Sequence, residues 1–329
     1  MSTIAQAAKN TTDIEYNGLI FTNNTKLSKE HAIFAAYHST LYSGNPPREG
    51  KLSTTTIIGS VKQALMAIKY SDAETGPQDV STLMASAKGT AMHNGLTAAL
   101  QAYDPNYTCE KRIEREVEGW KISGEFDVLT PDKQIKDFKF VSNYNIKMLI
   151  EDKQILQPEW TLEEMYVKIP TYFKYVAQLS IYRYLLNDPE VKMYGSILFS
   201  LNNGSDMGKY TIDQEVTFPL RPMEEIHEFL VDRVKQIKAH IAAGTMPDCS
   251  DVERGYTPGE WKLSRVGTTG KAQTVRGSKC NSASELAEFI RLNGRPGDQE
   301  IIIPPKYALC NYCKFTSVCD QFVPVEEEQ

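Results

Sequence analysis

The sequence predicts an α/β (α+β) fold in which a central mixed sheet is flanked by helices. Three observations carry that reading. Apolar residues recur at helical spacing over the first hundred residues, the period changes to that of strands between about 113 and 141, and helix and strand patterns then interleave to about 243. With 329 residues, 41% of them hydrophobic and 24% charged, the chain can bury the core of one large or two modest domains.

Residues 1 to about 25 are polar and rich in Asn and Thr, which predicts a loose arm or short strands. Helices are expected over 31–42 and 61–70, separated by the Gly/Pro-rich SGNPPREG and a Ser/Thr run, and a longer one over 80–102 that ends at YDPN. Strands follow over 113–120, 121–129 and 134–141, with TPDKQ as the turn between the last two. A Tyr-rich helix over 170–186, strands over 191–201 and 215–220, and a long helix over 222–243 complete this part. From about Gly244 the composition turns to Gly, Pro, Cys and basic residues, with a strand over 271–276 and a helix over 283–292. The chain thus divides into an arm with helices (1–79), a core (80–243) and a C-terminal appendage (244–329). No internal repeat is visible, and the acidic tail VPVEEEQ has the composition of a disordered segment.

Composition excludes several functions. The net charge of −6 supplies no global basic field, so binding to nucleic acid has to rest on local Lys/Arg patches and on cations held at carboxylates. No apolar run is long enough to span a membrane and the first residues lack the order of a secretory signal, so a cytoplasmic location is expected, in a host cell if the protein is viral. GTTGKA, starting at Gly267, lacks the spacing of a phosphate-binding loop, so a motor, if one is needed, has to come from a partner.

The most informative stretch is IKDFKF. Asp137 and Lys139 are two apart on a strand and share a face, while Phe138 and Phe140 point the other way. If TPDKQ closes as a three-residue loop with Thr130 and Gln134 paired, Asp127 of GEFD stands opposite Asp137; a two-residue loop puts it on the other face. Facing carboxylates destabilise a ladder, and a divalent cation between them removes the penalty. Taken alone, a D-x-K triplet is most often the solvated face of an amphipathic strand. Glu114 and Glu116, on the preceding strand, read either as supporting groups or as a solvated edge.

Four motifs in order give the triplet its meaning: GTAMH (89–93) on a helix, GEFD (124–127) and DFK (137–139) on strands, and QLSIY (178–182) on a helix. Over residues 80–200 this series resembles the RecB-like branch of the PD-(D/E)XK nucleases. The resemblance implies a restriction-endonuclease-like core that hydrolyses phosphodiester bonds, usually of DNA, single-stranded or at duplex ends. It implies a Mg²⁺ or Mn²⁺ ion held by His93, Asp127, Asp137 and the carbonyl of Phe138. Lys139 is then the group that orients the attacking water and steadies charge on the phosphate. Gln178 and Tyr182, one helical turn apart, are expected to reach the hairpin and the DNA backbone. A helicase or a strand-annealing protein is the partner such an enzyme would work with.

Six cysteines in a long chain expected in the cytoplasm argue against a disulfide framework, and three of them cluster near the C-terminus as a metal site would. CNYCKFTSVC supplies Cys310, Cys313 and Cys319, and a tetrahedral site needs a fourth. Cys249 is the expected partner, because it resembles the cysteine upstream of the terminal trio in phage-type RecB-like nucleases; Cys109 and Cys280 are the competitors. In AddB-like and CRISPR-associated members a comparable trio and a distant cysteine bind a 4Fe-4S cluster. Here no cysteine precedes His93, and zinc is the alternative occupant. Arg265, Lys271, Arg276 and Lys279 could face phosphates from this appendage. Two other readings stay open, a DNA-binding scaffold that keeps the fold without cutting, and a nuclease acting on RNA.

Overall fold

A computed structural model describes residues 14–23, 27–41, 47–70, 78–201, 213–266 and 272–322. Residues 1–13 of the expected arm, residues 267–271 of GTTGKA, and the acidic tail lie outside these ranges. Contacts divide the chain into two compact units, 1–246 and 247–329. Among the described residues no helix is long and apolar enough to cross a membrane.

The first unit opens with strands β1 (Ile14–Tyr16) and β2 (Leu19–Thr22) and helix α1 (Lys29–Leu41). The expected loop before the second predicted helix instead contains strand β3 (Lys51–Ser53) and helix α2 (Thr54–Ile58), ahead of α3 (Val61–Lys69). The Ser/Thr run that reads as a loop is a helix start: the Ser53 hydroxyl accepts from the Thr56 amide as an N-cap. After β4 (Gln78–Asp79), helix α4 (Val80–Tyr103) leads into β5 (Thr108–Val117) and β6 (Trp120–Leu129). The turn between these strands falls at Glu118 and Gly119, both at positive φ, so the first strand ends earlier than the alternation suggests. β7 (Ile135–Val141) follows.

Two helices that the sequence reading left out come next, α5 (Asn143–Ile155) and α6 (Leu162–Lys168). α5 buries only Ile146, Leu149 and Asp152, so its stripe is too narrow to stand out. α6 carries a readable signal, the capping box of Thr161 with Glu164. Helix α7 (Pro170–Leu186), strands β8 (Tyr194–Leu201) and β9 (Asp213–Pro219), and helix α8 (Met223–Ala243) close the unit.

These strands form a mixed six-stranded sheet with the order β3-β6-β7-β8-β9 and β5 on the other edge of β6. β7 and β8 are parallel, as are β3 and β6; the remaining pairs are antiparallel. The predicted fold class, a mixed sheet flanked by helices, is the observed one. α7 packs on the sheet through Tyr172, Tyr175, Val176, Leu179 and Ile181, all at most 2% exposed, which makes it the central helix of the core. One detail positions the site. β3 pairs with β6 at residues 121–123 and β7 pairs with it only at 128–129, so GEFD lies between the two ladders.

The second unit contains α9 (Asp251–Arg254), β10 (Tyr256–Thr257), β11 (Glu260–Val266), β12 (Ala272–Thr274), α10 (Ala283–Asn293), β13 (Gln299–Ile303), β14 (Lys306–Tyr307) and a 3-10 turn over Ala308–Tyr312. β11 is the middle strand of a sheet with β12 and β13, and neither β11 nor β13 is evident from periodicity. Arg265, read as a phosphate contact, is held by both oxygens of Asp298 at 2.6 and 2.7 Å through the Nε–Nη2 edge of its fork. Lys279 pairs with Glu260 at 3.2 Å.

Candidate active site

The hairpin register is the one the site requires. The Thr130 amide donates to the Gln134 carbonyl at 2.9 Å, the loop has three residues with Lys133 at φ 65°, and Val128 pairs with Lys136. Counting back one step, Asp127 faces Asp137. The backbone ladder stops there, and side chains take over: Asp127 Oδ2 accepts the Phe138 amide at 2.6 Å.

Each expected residue contributes to one cluster. Asp137 is 1% exposed; its Oδ1 accepts from Gln178 Nε2 at 3.1 Å, and the same amide donates to the Tyr182 hydroxyl at 2.8 Å. Asp137 Oδ2 is ion-paired with the Lys139 ammonium, yet it is buried without a hydrogen bond of good geometry. From α4, His93 donates through Nε2 to the Phe138 carbonyl at 3.0 Å, and its Nδ1 lies 3.5 Å from Asp127 Oδ2. That carbonyl, expected as a metal ligand, is therefore engaged by the imidazole. Glu114 pairs with Lys121 at 2.7 Å on the exposed face, so it belongs to a solvated edge.

Electrostatics marks this cluster as strained for charge. Burial, and then the adjacent Asp137, push the Asp127 carboxyl up to about 8, against the pull of Lys139 and the Phe138 amide. Burial and the Lys139 charge hold His93 below its ordinary value. Lys139 is raised: burial disfavours its charge, but Asp137 and Asp127 outweigh that.

As placed, no three His, Cys, Asp or Glu side chains among the described residues stand close enough to hold a metal ion. The donor set nevertheless fits a hard divalent cation. Two carboxylates face each other, one buried oxygen lacks a hydrogen bond, and the positive charge on Asp137 is the Lys139 ammonium, where a cation would also be favourable.

The shift of Asp127 has a measurable sign. With an ordinary value of 3.8 and a folded value of about 8, the folded state keeps a proton that the unfolded chain releases. Metal-free stability should therefore fall as pH rises from about 4 to about 8. Thermal unfolding in EDTA across that window should show the decline, and Asp127→Asn should flatten it. An equal slope in the variant would remove Asp127 as the cause. The charged groups acting on Asp127 are Asp137, Lys139 and Glu110.

Sequence reasoning missed three neighbours of the site. Glu110 falls opposite Asp127, between the Cys109–Val128 and Lys111–Phe126 pairs, at φ 48°; it accepts from the Thr97 hydroxyl at 3.3 Å. Thr54, from the N-terminal segment, donates to the Ser123 carbonyl at 3.2 Å beside GEFD. Lys174 lies one turn before Gln178 on α7.

In the second unit, the Gln321 side chain clasps the backbone of Cys249 from both sides, at 2.7 and 3.3 Å, and Arg254 hydrogen-bonds to the Cys310 side chain. Cys249 thus belongs to the same neighbourhood as the trio, although the four thiols do not converge into a ligand set. The competitors are engaged elsewhere: Cys280 pairs by backbone with Trp261, and Cys109 lies on β5, its thiol near the Thr97 carbonyl.

No family model matches the sequence, and no curated protein matches it. Among solved structures the chain is similar to SSO0001, with a TM-score of 0.42 and 14% identity over 64% of this chain and 87% of that one. It is also similar to the alkaline exonuclease LHK-Exo of Laribacter hongkongensis, with a TM-score of 0.37 and 13% identity over 60% and 92% of the two chains. A phage-related exonuclease of Haemophilus somnus 129PT gives a TM-score of 0.38 and 12% identity over 59% and 96%. Likeness at this level carries nothing about activity.

Proposed function

We propose that this chain is a divalent-metal-dependent deoxyribonuclease of the RecB-like PD-(D/E)XK type, acting as an exonuclease or end-processing enzyme. The observation that carries the reading is the facing pair Asp127 and Asp137, with the Lys139 ammonium ion-paired to a buried oxygen of Asp137.

Asp127 and Asp137 would hold Mg²⁺ or Mn²⁺, with His93 and the Phe138 carbonyl able to join once their mutual hydrogen bond opens. The cation supplies Lewis acidity toward the phosphoryl oxygen and lowers the pKa of an attacking water. Gln178 fixes the Asp137 carboxylate through Oδ1, so a cation would reach Oδ2 by sharing it with the Lys139 ammonium. Tyr182, pushed above its ordinary value by burial, stays a neutral partner for Gln178. Lys139 keeps its proton, so it acts as a fixed positive charge that orients water and balances charge building on the phosphate oxygens.

The test is cleavage of end-labelled single-stranded and duplex DNA, and of matched RNA, in Mg²⁺, Mn²⁺ or EDTA. Metal-dependent loss of DNA supports the reading. Clean protein that binds DNA but cuts neither polymer would leave a scaffold, and cleavage of RNA alone would reassign the substrate.

For the second unit we propose a 4Fe-4S cluster held by Cys249, Cys310, Cys313 and Cys319, with zinc as the alternative, serving as a structural clip. The thiols as placed do not form the site, so cluster binding requires them to close up. Anaerobically purified protein should be brown, and Cys313→Ser should lose the colour together with part of the stability. Colourless protein with one equivalent of zinc would assign the clip to zinc.

A further inference from the structure

We propose that Lys174 grips a backbone phosphate of the nucleic acid beside the scissile bond. The inference deepens the nuclease reading of the same site and names a contact for substrate positioning.

Lys174, Gln178 and Tyr182 are spaced four apart and form one stripe on α7. The hydrogen bond from Gln178 to Asp137 fixes that stripe over the carboxylates. Gln178 and Tyr182 are buried, whereas Lys174 is exposed, so the stripe runs from buried to solvent-facing positions.

Four lysines of this unit illustrate the usual pairing. Lys133 pairs with Asp188, Lys136 with Glu215, Lys147 with Glu151 and Lys168 with Glu164. Among the described residues Lys174 forms no ion pair; its ammonium lies 5.2 Å from the Tyr175 ring centre. Desolvation, and then the Lys139 charge, lower its pKa, against the opposing pull of Asp137.

An exposed ammonium that feels another ammonium and has no ion-pair partner of its own gains when an anion arrives. A phosphodiester meets both: the scissile phosphate at Lys139, and the next along the strand at Lys174. Lysine suits this role, as a point charge on a flexible stem that adapts to either strand conformation. It would act on binding and leave the chemistry to the carboxylates.

The experiment measures binding of a fluorescein-labelled single-stranded oligonucleotide and of its duplex in EDTA across a salt series, then cleavage kinetics in Mg²⁺. Lys174→Ala should weaken binding about 5- to 10-fold and flatten the log–log salt slope by about 0.7–0.9, the loss of one phosphate contact. Lys174→Arg should restore both, and KM should rise in the alanine variant with kcat little changed. Lys153→Ala, on exposed α5, controls for removing a charge elsewhere.

An unchanged salt slope in Lys174→Ala, or an arginine variant as weak as alanine, overturns the proposal. If the wild type binds DNA with a Lys174-dependent slope but never cuts it, the phosphate grip stands and the nuclease reading falls. If the protein cuts and Lys174→Ala retains the same KM and affinity, the grip falls and the nuclease stands. Protein that neither binds nor cuts overturns both.

Discussion

Asp137→Asn and Lys139→Met should each reduce metal-dependent cleavage by a factor of about a thousand or more, the scale seen when one charged group is removed from a preorganised site. The two variants should differ in stability, and the difference identifies their roles. Asp137 is 1% exposed and pairs with Lys139, so removing its charge leaves a largely buried ammonium beside Asp127 alone. Above about pH 8, where Asp127 ionises, removing Lys139 leaves two facing carboxylates without compensation, a change expected to cost about 3–5 kcal/mol. Mg²⁺ can replace the missing charge. Thermal unfolding should therefore show a larger Mg²⁺-induced rise for Lys139→Met than for the wild type, and none for Asp137→Asn. Cleavage within tenfold of wild type in either variant would overturn the assignment.

Gly124→Ala should lower stability by about 1–3 kcal/mol, the range for overpacking a core, and cleavage should fall with it. A Cβ on Gly124 would lie 2.6 Å from Thr54 Oγ1 and 2.7 Å from Tyr182 Cε1, closer than side-chain contacts allow. Either Thr54 leaves the Ser123 carbonyl, or Tyr182 moves and takes Gln178 with it, away from Asp137. Gly89, the other motif glycine, is a useful contrast. Its added Cβ would sit 3.8 Å from Phe140 Cβ, an ordinary contact, so Gly89→Ala should be tolerated in packing. Denaturant midpoints for the two variants check this, and equal midpoints would show that Gly124 is not constrained by space.

The sequence was most legible where local chemistry leaves few choices. TPDKQ sets the parity of the hairpin, and parity alone brings Asp127 to the face of Asp137. The i, i+4 spacing of Gln178 and Tyr182 similarly fixes their common direction. Glu110 was hidden for the opposite reason. It occupies a left-handed backbone conformation that no strand pattern announces, and its neighbour Thr97 lies on a different element. Thr54 was hidden by composition, because STTT reads as a linker until the Ser53 cap is seen. The cysteine spacing identified the trio, but the link to Cys249 runs through Gln321, a residue with no motif of its own.

The strand carrying Asp127 changes partners partway along, from β3 at residues 121–123 to β7 at 128–129. GEFD occupies the interval, and Thr54 from the N-terminal segment covers it. The four motifs therefore do not delimit a self-sufficient catalytic module. A fragment beginning at residue 80 would retain every motif, yet it would lose a strand of the sheet and the cover beside Gly124. The motif series is contained in residues 80–200, whereas the smallest fragment that keeps this sheet and its cover has to reach back at least to Lys51.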